Sequence, residues 1–218
     1  MTTSFLEPLE SRIAPAVLVV SPSTATYTDV DGDTVTIKVS SGDLNTAAFT
    51  TAAIGLGDQL QKINLSGGGF DGANLTLTVK KSATGDGLAN VGHIESTGHD
   101  LGAVTIPGDL GQIDAGDSDP AKPAIKSLTV RSMGRFGTAT QGAAPSLQSE
   151  IVGALGALTV KGDVVGAFVN VNDGADGTIG AVSIAGSLIG GGTTDSGQVH
   201  SSGKMGAVKI GGSVLGNA

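Results

Sequence analysis

The sequence predicts an all-β protein built as a parallel β-helix, and three observations support this. A phrase of twelve residues recurs five times in the second half of the chain, starting at Leu101, Ile125, Leu155, Ile179 and Met205. The starts lie 24 to 30 residues apart, a period typical of solenoids. The 218 residues include 36 glycines and no tryptophan. This composition favours thin stacked layers of aliphatic side chains over a core rich in aromatics.

Residues 1–20 are predicted to be a targeting or processing segment. The apolar stretch Ile13–Val20 has eight residues, and the residues before it lack the basic region of a typical signal peptide. These residues alone therefore leave secretion open. No apolar run in the sequence approaches the roughly 20 residues needed to cross a bilayer.

Residues 21–59 are predicted to form a β-hairpin cap. Thr24–Val30 and Asp33–Ser40 are rich in β-forming residues and flank Asp31-Gly32, a strong signal for a tight turn. Alternate positions of the second segment are apolar, so one of its faces is expected to be buried. A cap is needed because the open edge of a stack templates aggregation.

Residues 60–218 are predicted to carry the repeats, with Leu60 starting a first, degenerate copy. Positions 4 and 6 of the phrase are apolar and alternate with polar residues, so they face the core. Positions 1 and 10 add further inward side chains, and we expect Ile184 to stack between Val160 and Ile210. The glycines at positions 2 and 8 are expected at corners, where a positive φ or a close backbone approach is needed.

Stacking of these copies predicts parallel pairing between coils of about 24–30 residues. A right-handed helix is the first choice, and a left-handed one stays open. The longest spacer, Gly134–Val152, contains many small polar residues, so we expect it to loop out. Because the sequence stops directly after a full phrase, we expect the array to continue past residue 218 or its end to be covered.

The charge and the cysteine count limit the partners. Twelve Lys and Arg against twenty Asp and Glu give a net charge of −8, which disfavours nucleic acid and anionic membranes. The absence of cysteine excludes disulfides and thiolate metal sites. The sequence therefore predicts no nucleic-acid partner and no membrane span, and favours extracellular polysaccharide or other surface proteins as partners.

Asp29, Asp31 and Asp33 are the candidate metal ligands. Calcium prefers about six to eight oxygen ligands, and carboxylates at this spacing can supply several of them. The pattern departs from an EF-hand loop, because Gly32 falls at position 4 and Ser40 stands where that loop has glutamate. A plain hairpin turn explains Asp31-Gly32 equally well, so the prediction is either no cofactor or calcium.

Two other clusters offer metal chemistry. Gly67–Leu75 is similar to one Gly/Asp nonapeptide of calcium β-rolls, but it occurs only once. His93, Glu95, His99 and Asp100 lie within eight residues and form either a metal site or a surface cluster.

A catalytic alternative uses the same scaffold. The sequence contains no nucleophile elbow and no phosphate loop. Polysaccharide lyases and hydrolases on β-helices align acidic and basic residues along one face, and Arg131 and Arg135 follow Asp114 and Asp117 by about one coil. Fold analogy is the only support for this alternative.

The opening residues Leu6-Glu7-Pro8-Leu9-Glu10-Ser11-Arg12-Ile13 resemble the N-terminal Leu-Glu-Pro-Arg-X-Leu-Leu type motif of large surface proteins in planctomycetes and verrucomicrobia. Leu9 stands where that motif has arginine, and Arg12 follows three residues later. Residues 25–33 and 100–117 are similar to uncharacterised β-helical repeat proteins of the same group. The resemblance implies export from a bacterial cell, and it brings no catalytic residues.

These observations together predict a non-catalytic, secreted or cell-surface repeat protein with a structural or adhesive role. The contact surface would be a long face of Ser, Thr, Asn and Asp side chains. Two alternatives stay open: a carbohydrate-active enzyme on the same β-helix and a calcium-stabilised binding module.

Overall fold

The structure is a computed structural model that describes residues 18–67 and 69–216. Within these residues the regular structure is β, apart from the short 3-10 helices Thr46–Ala48 and Gly137–Thr140. Eighteen strands are joined by hydrogen bonds into one sheet. The predicted all-β class is therefore confirmed, and the predicted targeting segment lies almost wholly outside the described residues.

In chain order the strands are β1 (Val19–Ser21), β2 (Thr24–Thr28), β3 (Thr34–Val39), β4 (Phe49–Ile54), β5 (Gly57–Asn64), β6 (Ala73–Lys80), β7 (Val91–Thr97), β8 (Leu101–Gly116), β9 (Ile125–Met133), β10 (Gln148–Val152), β11 (Leu155–Val160), β12 (Val164–Val165), β13 (Phe168–Asn172), β14 (Ile179–Ile184), β15 (Leu188–Ile189), β16 (Gln198–Ser201), β17 (Met205–Ile210) and β18 (Val214–Leu215).

The first strands pair antiparallel, as the sequence predicted for the hairpin. β2 and β3 flank the Asp31-Gly32 turn, with Thr28 opposite Thr34. β3 then pairs antiparallel with β6, and β4 pairs antiparallel with β5. Val35 and Ile37 are fully buried, so the apolar face of β3 packs on the core as expected.

The later strands pair in parallel and form three ladders. The first ladder consists of β6, the N-terminal half of β8, β9, β11, β14 and β17. The second consists of β5, β7, the C-terminal half of β8, β10, β13 and β16. The third contains the end of β9 with β12, β15 and β18.

The repeated phrase sets the register of the first ladder. Its five starting residues lie opposite one another, and Ala73 lies opposite the first of them, Leu101. Ile184 lies between Val160 and Ile210 and is 1 % exposed, so the predicted stack is confirmed.

The predicted first copy at Leu60 was wrong. Leu60 pairs with Val91 and belongs to the second ladder. Strands of both ladders alternate apolar and polar residues because both pack on one core, and this shared alternation made β5 resemble the phrase.

The glycines of the phrase are only partly at corners. Those at position 2, such as Gly156 and Gly180, lie inside β11 and β14. A Cβ on Gly180 would collide with the carbonyl oxygen of Gly156 on the neighbouring strand. Close backbone approach therefore explains position 2. At position 8, glycines such as Gly162 and Gly186 do lie in the bend between two strands, whereas Gly108 lies inside β8.

The long spacer leaves the sheet for only part of its length. Residues 134–147 contain the helix Gly137–Thr140 and no strand, as predicted. Gln148–Val152 form β10 instead, which corrects the expectation for the end of the spacer. Ser149 and Ile151 are fully buried on alternate positions, which is the pattern of a half-buried strand.

The core is aliphatic and lies between the ladders. Ile94, Ile113, Leu128 and Val171 are all fully buried. Side chains are less buried in the last strands, where Val208 is 51 % and Val214 is 66 % exposed.

Candidate functional sites: a polar strand face and an acidic cavity

The second ladder presents two rows of side chains that point away from the core. Alternate residues of a strand face opposite sides, so residues in register on neighbouring strands form rows. One row is Lys62, His93, Gln112, Gln148, Phe168 and Gln198, and the other is Asn64, Glu95, Asp114, Glu150, Asn170 and His200. We call these twelve residues the polar face.

Asp114 is the centre of a hydrogen-bond network on the polar face. Its Oδ2 lies 2.9 Å from His93 Nε2 and accepts a hydrogen bond from Gln112 Nε2 at 2.8 Å. Its Oδ1 accepts from the backbone N–H of Glu150 at 2.8 Å. Both oxygens are therefore used, and three neighbouring strands are tied together by one carboxylate.

Glu95 is held in its ionised form. Burial alone would raise its pKa, but the hydrogen bonds from Thr97 and the charge of Lys62 outweigh burial and hold the pKa below the usual value. Lys62 Nζ lies 3.4 Å from the Glu95 carboxylate. A general acid needs a raised pKa, so Glu95 has the wrong electrostatics for that role.

The network continues to the last strand of the ladder. Asn170 Nδ2 donates to both carboxylate oxygens of Glu150 at 2.9 Å, and His200 Nδ1 lies 2.9 Å from Asn170 Oδ1. The rings of Phe168 and His200 are 6.4 Å apart. The polar face therefore combines donors, acceptors and one phenyl ring.

A loop forms a wall along one side of the polar face. Gln141 Nε2 donates to the carbonyl oxygen of Gly92 at 3.0 Å, which anchors the loop over β7. Residues 141–144 and the side chains of Lys62, His93 and Gln112 enclose a cavity of about 200 Å³. This wall converts part of a flat sheet surface into a cleft.

The structure regroups the predicted histidine cluster. Ligand atoms of His93 and Glu95 lie within 4.8 Å of an Asp114 oxygen, whereas His99 and Asp100 are not part of that group. The sequence indicated Asp114 only together with the arginines of the catalytic alternative, but Asp114 lies on β8 beside Glu95. The outward position of Asp114 next to buried Ile113 was the available signal.

The arginines of the catalytic alternative lie elsewhere. Arg131 is on β9, in the first ladder, and its guanidinium is directed to the Lys161 carbonyl oxygen at 3.5 Å. The Arg135 guanidinium lies 6.0 Å from the Phe136 ring centroid. Across residues 18–67 and 69–216, no ion pair joins either arginine to Asp114 or Asp117.

Within the segment predicted to resemble a calcium β-roll, residues 69–75 run from a turn into β6. Its one acidic side chain, Asp71, forms an ion pair with Lys122 at 3.0 Å. This pairing accounts for Asp71 without a metal ion.

The predicted calcium ligands do come together. One carboxylate oxygen from each of Asp29, Asp31 and Asp33 lies within 4.8 Å of the others. Asp33 is fully buried, and its two oxygens accept backbone hydrogen bonds from Ser82 and Gly87, both at 2.6 Å. Asp33 therefore anchors the loop that follows β6 to the hairpin turn.

Asp29 and Asp31 line a larger cavity that we call the acidic cavity. Its volume is about 400 Å³, and its polar lining is Asp29, Asp31, Gln59, Asp86, Asn90 and Thr140. Phe136, Leu88 and Ile54 supply apolar walls. Asp31 Oδ1 and Thr140 Oγ1 are buried and have no hydrogen-bond partner among the described residues.

Burial and crowding perturb the acids of this region. Burial, followed by the neighbouring Asp31 carboxylate, raises the pKa of Asp29 to about 7. Burial also raises the pKa of Asp58, whose backbone bridges that of Asp29. The sequence missed Asp58, Asp86 and Thr140 because only the fold brings them beside the turn.

No protein-family profile, curated protein or solved structure gave a significant match to the chain. In the part of the chain that the structure describes, no helix is long and apolar enough to cross a membrane.

Proposed function

We propose that this chain is an exported, non-catalytic β-helical protein that binds an extended polysaccharide on its polar face in a structural or adhesive role. The β-helix part is supported by the order of the strands. From β10 to β18, successive strands enter the second, first and third ladders in the same repeating order.

The observation that carries the binding role is the continuity of the polar face across six parallel strands. Sugar hydroxyls donate and accept hydrogen bonds, and rows of Gln, Asn, His and carboxylate side chains offer both functions. Successive residues of each row lie on strands about 4.8 Å apart, so a linear polymer can make similar contacts strand after strand. The cleft beside Lys62 and His93 adds a wall against which the polymer packs.

The charge of the face selects among polysaccharides. It carries the carboxylates of Glu95, Asp114 and Glu150 against the single lysine Lys62. Polyuronates would meet like charge, which is unfavourable in a partly desolvated contact. We therefore expect a neutral or amine-bearing polysaccharide.

Two features support a role without cleavage. Glu95 is held ionised, as described above, and the arginines of the catalytic alternative face other parts of the molecule. Export is supported by the N-terminal resemblance, which lies in residues outside the described part of the structure.

The test is retention of the purified protein on insoluble neutral polysaccharides, with soluble polyuronates as a comparison and with assay for new chain ends. Gln112→Ala combined with Asn170→Ala is expected to weaken retention about tenfold, because two hydrogen-bonding groups are lost. Lys126→Ala combined with Thr159→Ala, on the first ladder, is the matched control and is expected to bind normally.

Several outcomes would contradict the proposal. New chain ends would indicate a carbohydrate-active enzyme. Absence of retention on every polysaccharide would direct the search to surface proteins as partners. Confinement of the protein to the cytosol in cell fractionation would contradict export.

A further inference from the structure

The acidic cavity concentrates carboxyl groups that form no ion pair among the described residues. Asp29, Asp31 and Asp86 line the cavity, and Asp58 lies beside Asp29. The ion pairs formed by residues 18–67 and 69–216 involve none of these four acids. Two cations of neighbouring segments act on other groups: the charge of Lys81 favours the ionised form of Asp33, and the Arg135 guanidinium lies 6.0 Å from the centroid of the Phe136 ring.

Two buried oxygens that belong to residues lining the cavity lack hydrogen-bond partners among the described residues. Asp31 Oδ1 and Thr140 Oγ1 belong to residues that line the cavity, and Thr140 is only 6 % exposed. A buried polar atom without a partner is costly, and such atoms are rare in native proteins.

We propose that Asp29 and Asp31 bind a divalent cation, with calcium favoured, at the wall of the acidic cavity. The polar side-chain heavy atoms of Asp29, Asp31 and Thr140 are all oxygens, and oxygen ligands suit the hard cations calcium and magnesium. The carboxylate oxygens of Asp29, Asp31 and Asp33 are within 4.8 Å of one another, close enough for one ion to contact more than one of them. Calcium is favoured because it accepts irregular coordination, whereas magnesium demands a near-ideal octahedron.

The role assigned to Asp33 differs from the other two. Both of its oxygens already accept backbone hydrogen bonds from the loop that follows β6. Asp29 Oδ1 also accepts a hydrogen bond, from the backbone N–H of Asp33 at 2.8 Å. The unpartnered Asp31 Oδ1 is therefore the oxygen most available to an ion.

A bound ion would lie beside a cavity at which three segments far apart in the sequence meet. Asp29 and Asp31 belong to the hairpin turn, Asp86 to the loop after β6, and Thr140 to the helix Gly137–Thr140. The ion would stabilise the antiparallel end of the molecule against the parallel ladders. This role is separate from polysaccharide binding, because it uses none of the twelve residues of the polar face.

The experiment is calorimetric titration of chelator-treated full-length protein with calcium chloride, paired with thermal unfolding with and without calcium. We expect one saturable site and an unfolding temperature that rises with calcium concentration, because the ion binds only the folded state. Magnesium is expected to bind more weakly. Asp31→Asn and, separately, Asp29→Asn should each weaken calcium binding at least tenfold.

The variants are chosen so that folding and binding can be separated. Each asparagine keeps a side-chain oxygen that can accept the backbone N–H hydrogen bonds accepted by the aspartate it replaces. Thermal unfolding without calcium reports whether each variant folds. Glu95→Gln is the matched control, since it removes a carboxylate from the other group of potential metal ligands. It should bind calcium as the unchanged protein does.

Three results would overturn the proposal. These are the absence of saturable binding at millimolar calcium, loss of binding in Glu95→Gln with retention in Asp31→Asn, and stabilisation by an alkylammonium ion but not by calcium. The last result would assign the acidic cavity to an organic cation.

Discussion

The carboxyl group of Asp100 is buried beside two other acids. The residue is 3 % exposed, and its Oδ1 has no hydrogen-bond partner among the described residues. Burial, then the charges of Asp117 and Asp71, raises its pKa to about 6. Lys122 neutralises only part of this charge, because it forms its ion pair with Asp71. The single residue therefore carries an electrostatic cost at neutral pH.

This cost predicts a pH dependence of stability. In the unfolded chain the group titrates near pH 4, so between about pH 4 and 6 the folded state holds a proton that the unfolded state has lost. Stability due to Asp100 should therefore fall as the pH rises through this range and stay constant above it. Asp100→Asn should be more stable than the unchanged protein at pH 7 by denaturant unfolding, and the difference should disappear towards pH 4.

Asp176→Asn is the control for the Asp100 prediction, since Asp176 is exposed. Its difference from the unchanged protein should not vary over the same pH range. A pH-independent effect of Asp100→Asn would contradict the electrostatic explanation.

At the scale of the element, the first ladder depends on glycine columns as much as on aliphatic ones. Gly156, Gly180 and Gly206 occupy the same position of successive phrases. A Cβ on any of them would meet a backbone carbonyl oxygen of the preceding strand: that of Lys126, Gly156 or Gly180. These strands can therefore approach closely only because the side chain is absent.

Gly180→Ala is expected to lower the free energy of unfolding by about 1–3 kcal/mol, the usual cost of overpacking. The measurement is denaturant unfolding at neutral pH. Gly67→Ala is the matched control, because a Cβ there meets no heavy atom within 4 Å. Its stability should be unchanged or slightly higher, since alanine restricts the unfolded chain. Equal losses in both variants would show that glycine is not needed for close approach.

At the scale of the whole molecule, stability is expected to vary along the stack. β8 and β9 are paired on both sides and largely buried. β16, β17 and β18 each pair on one side only within the described residues, and most side chains of β17 are exposed. In a stack each layer is stabilised mainly by its neighbours, so layers with fewer neighbours open more easily.

Hydrogen–deuterium exchange should therefore show a gradient of protection. The amides of β8 and β9 are expected to exchange most slowly and those of β16 to β18 fastest. Equal protection of all these strands would contradict the prediction. It would indicate either one cooperative unit or a partner that covers the last strands.

The local features of this protein were predictable from its sequence. The Asp31-Gly32 turn between β-forming segments predicted the hairpin, and the repeated phrase predicted both the parallel register and the stack at Ile184. These features depend on the identity of residues a few positions apart or on a regular period. Both can be recognised in the sequence without knowledge of long-range contacts. The exception, Leu60, shows the limit, because strands of two different ladders have the same apolar alternation.

Only the tertiary structure decided which side chains share a site. Asp114 joins His93 and Glu95 because the second ladder brings β7 and β8 into register. Asp31 shares a cavity with Thr140 because the 3-10 helix of the long spacer packs on β5, β7 and β8 beside the hairpin turn. The path and length of each irregular segment decide which side chains come close together, and packing against the core determines that path. The sequence by itself therefore determined the strands and their period, whereas the composition of the polar face and of the acidic cavity depended on contacts between residues far apart in the chain.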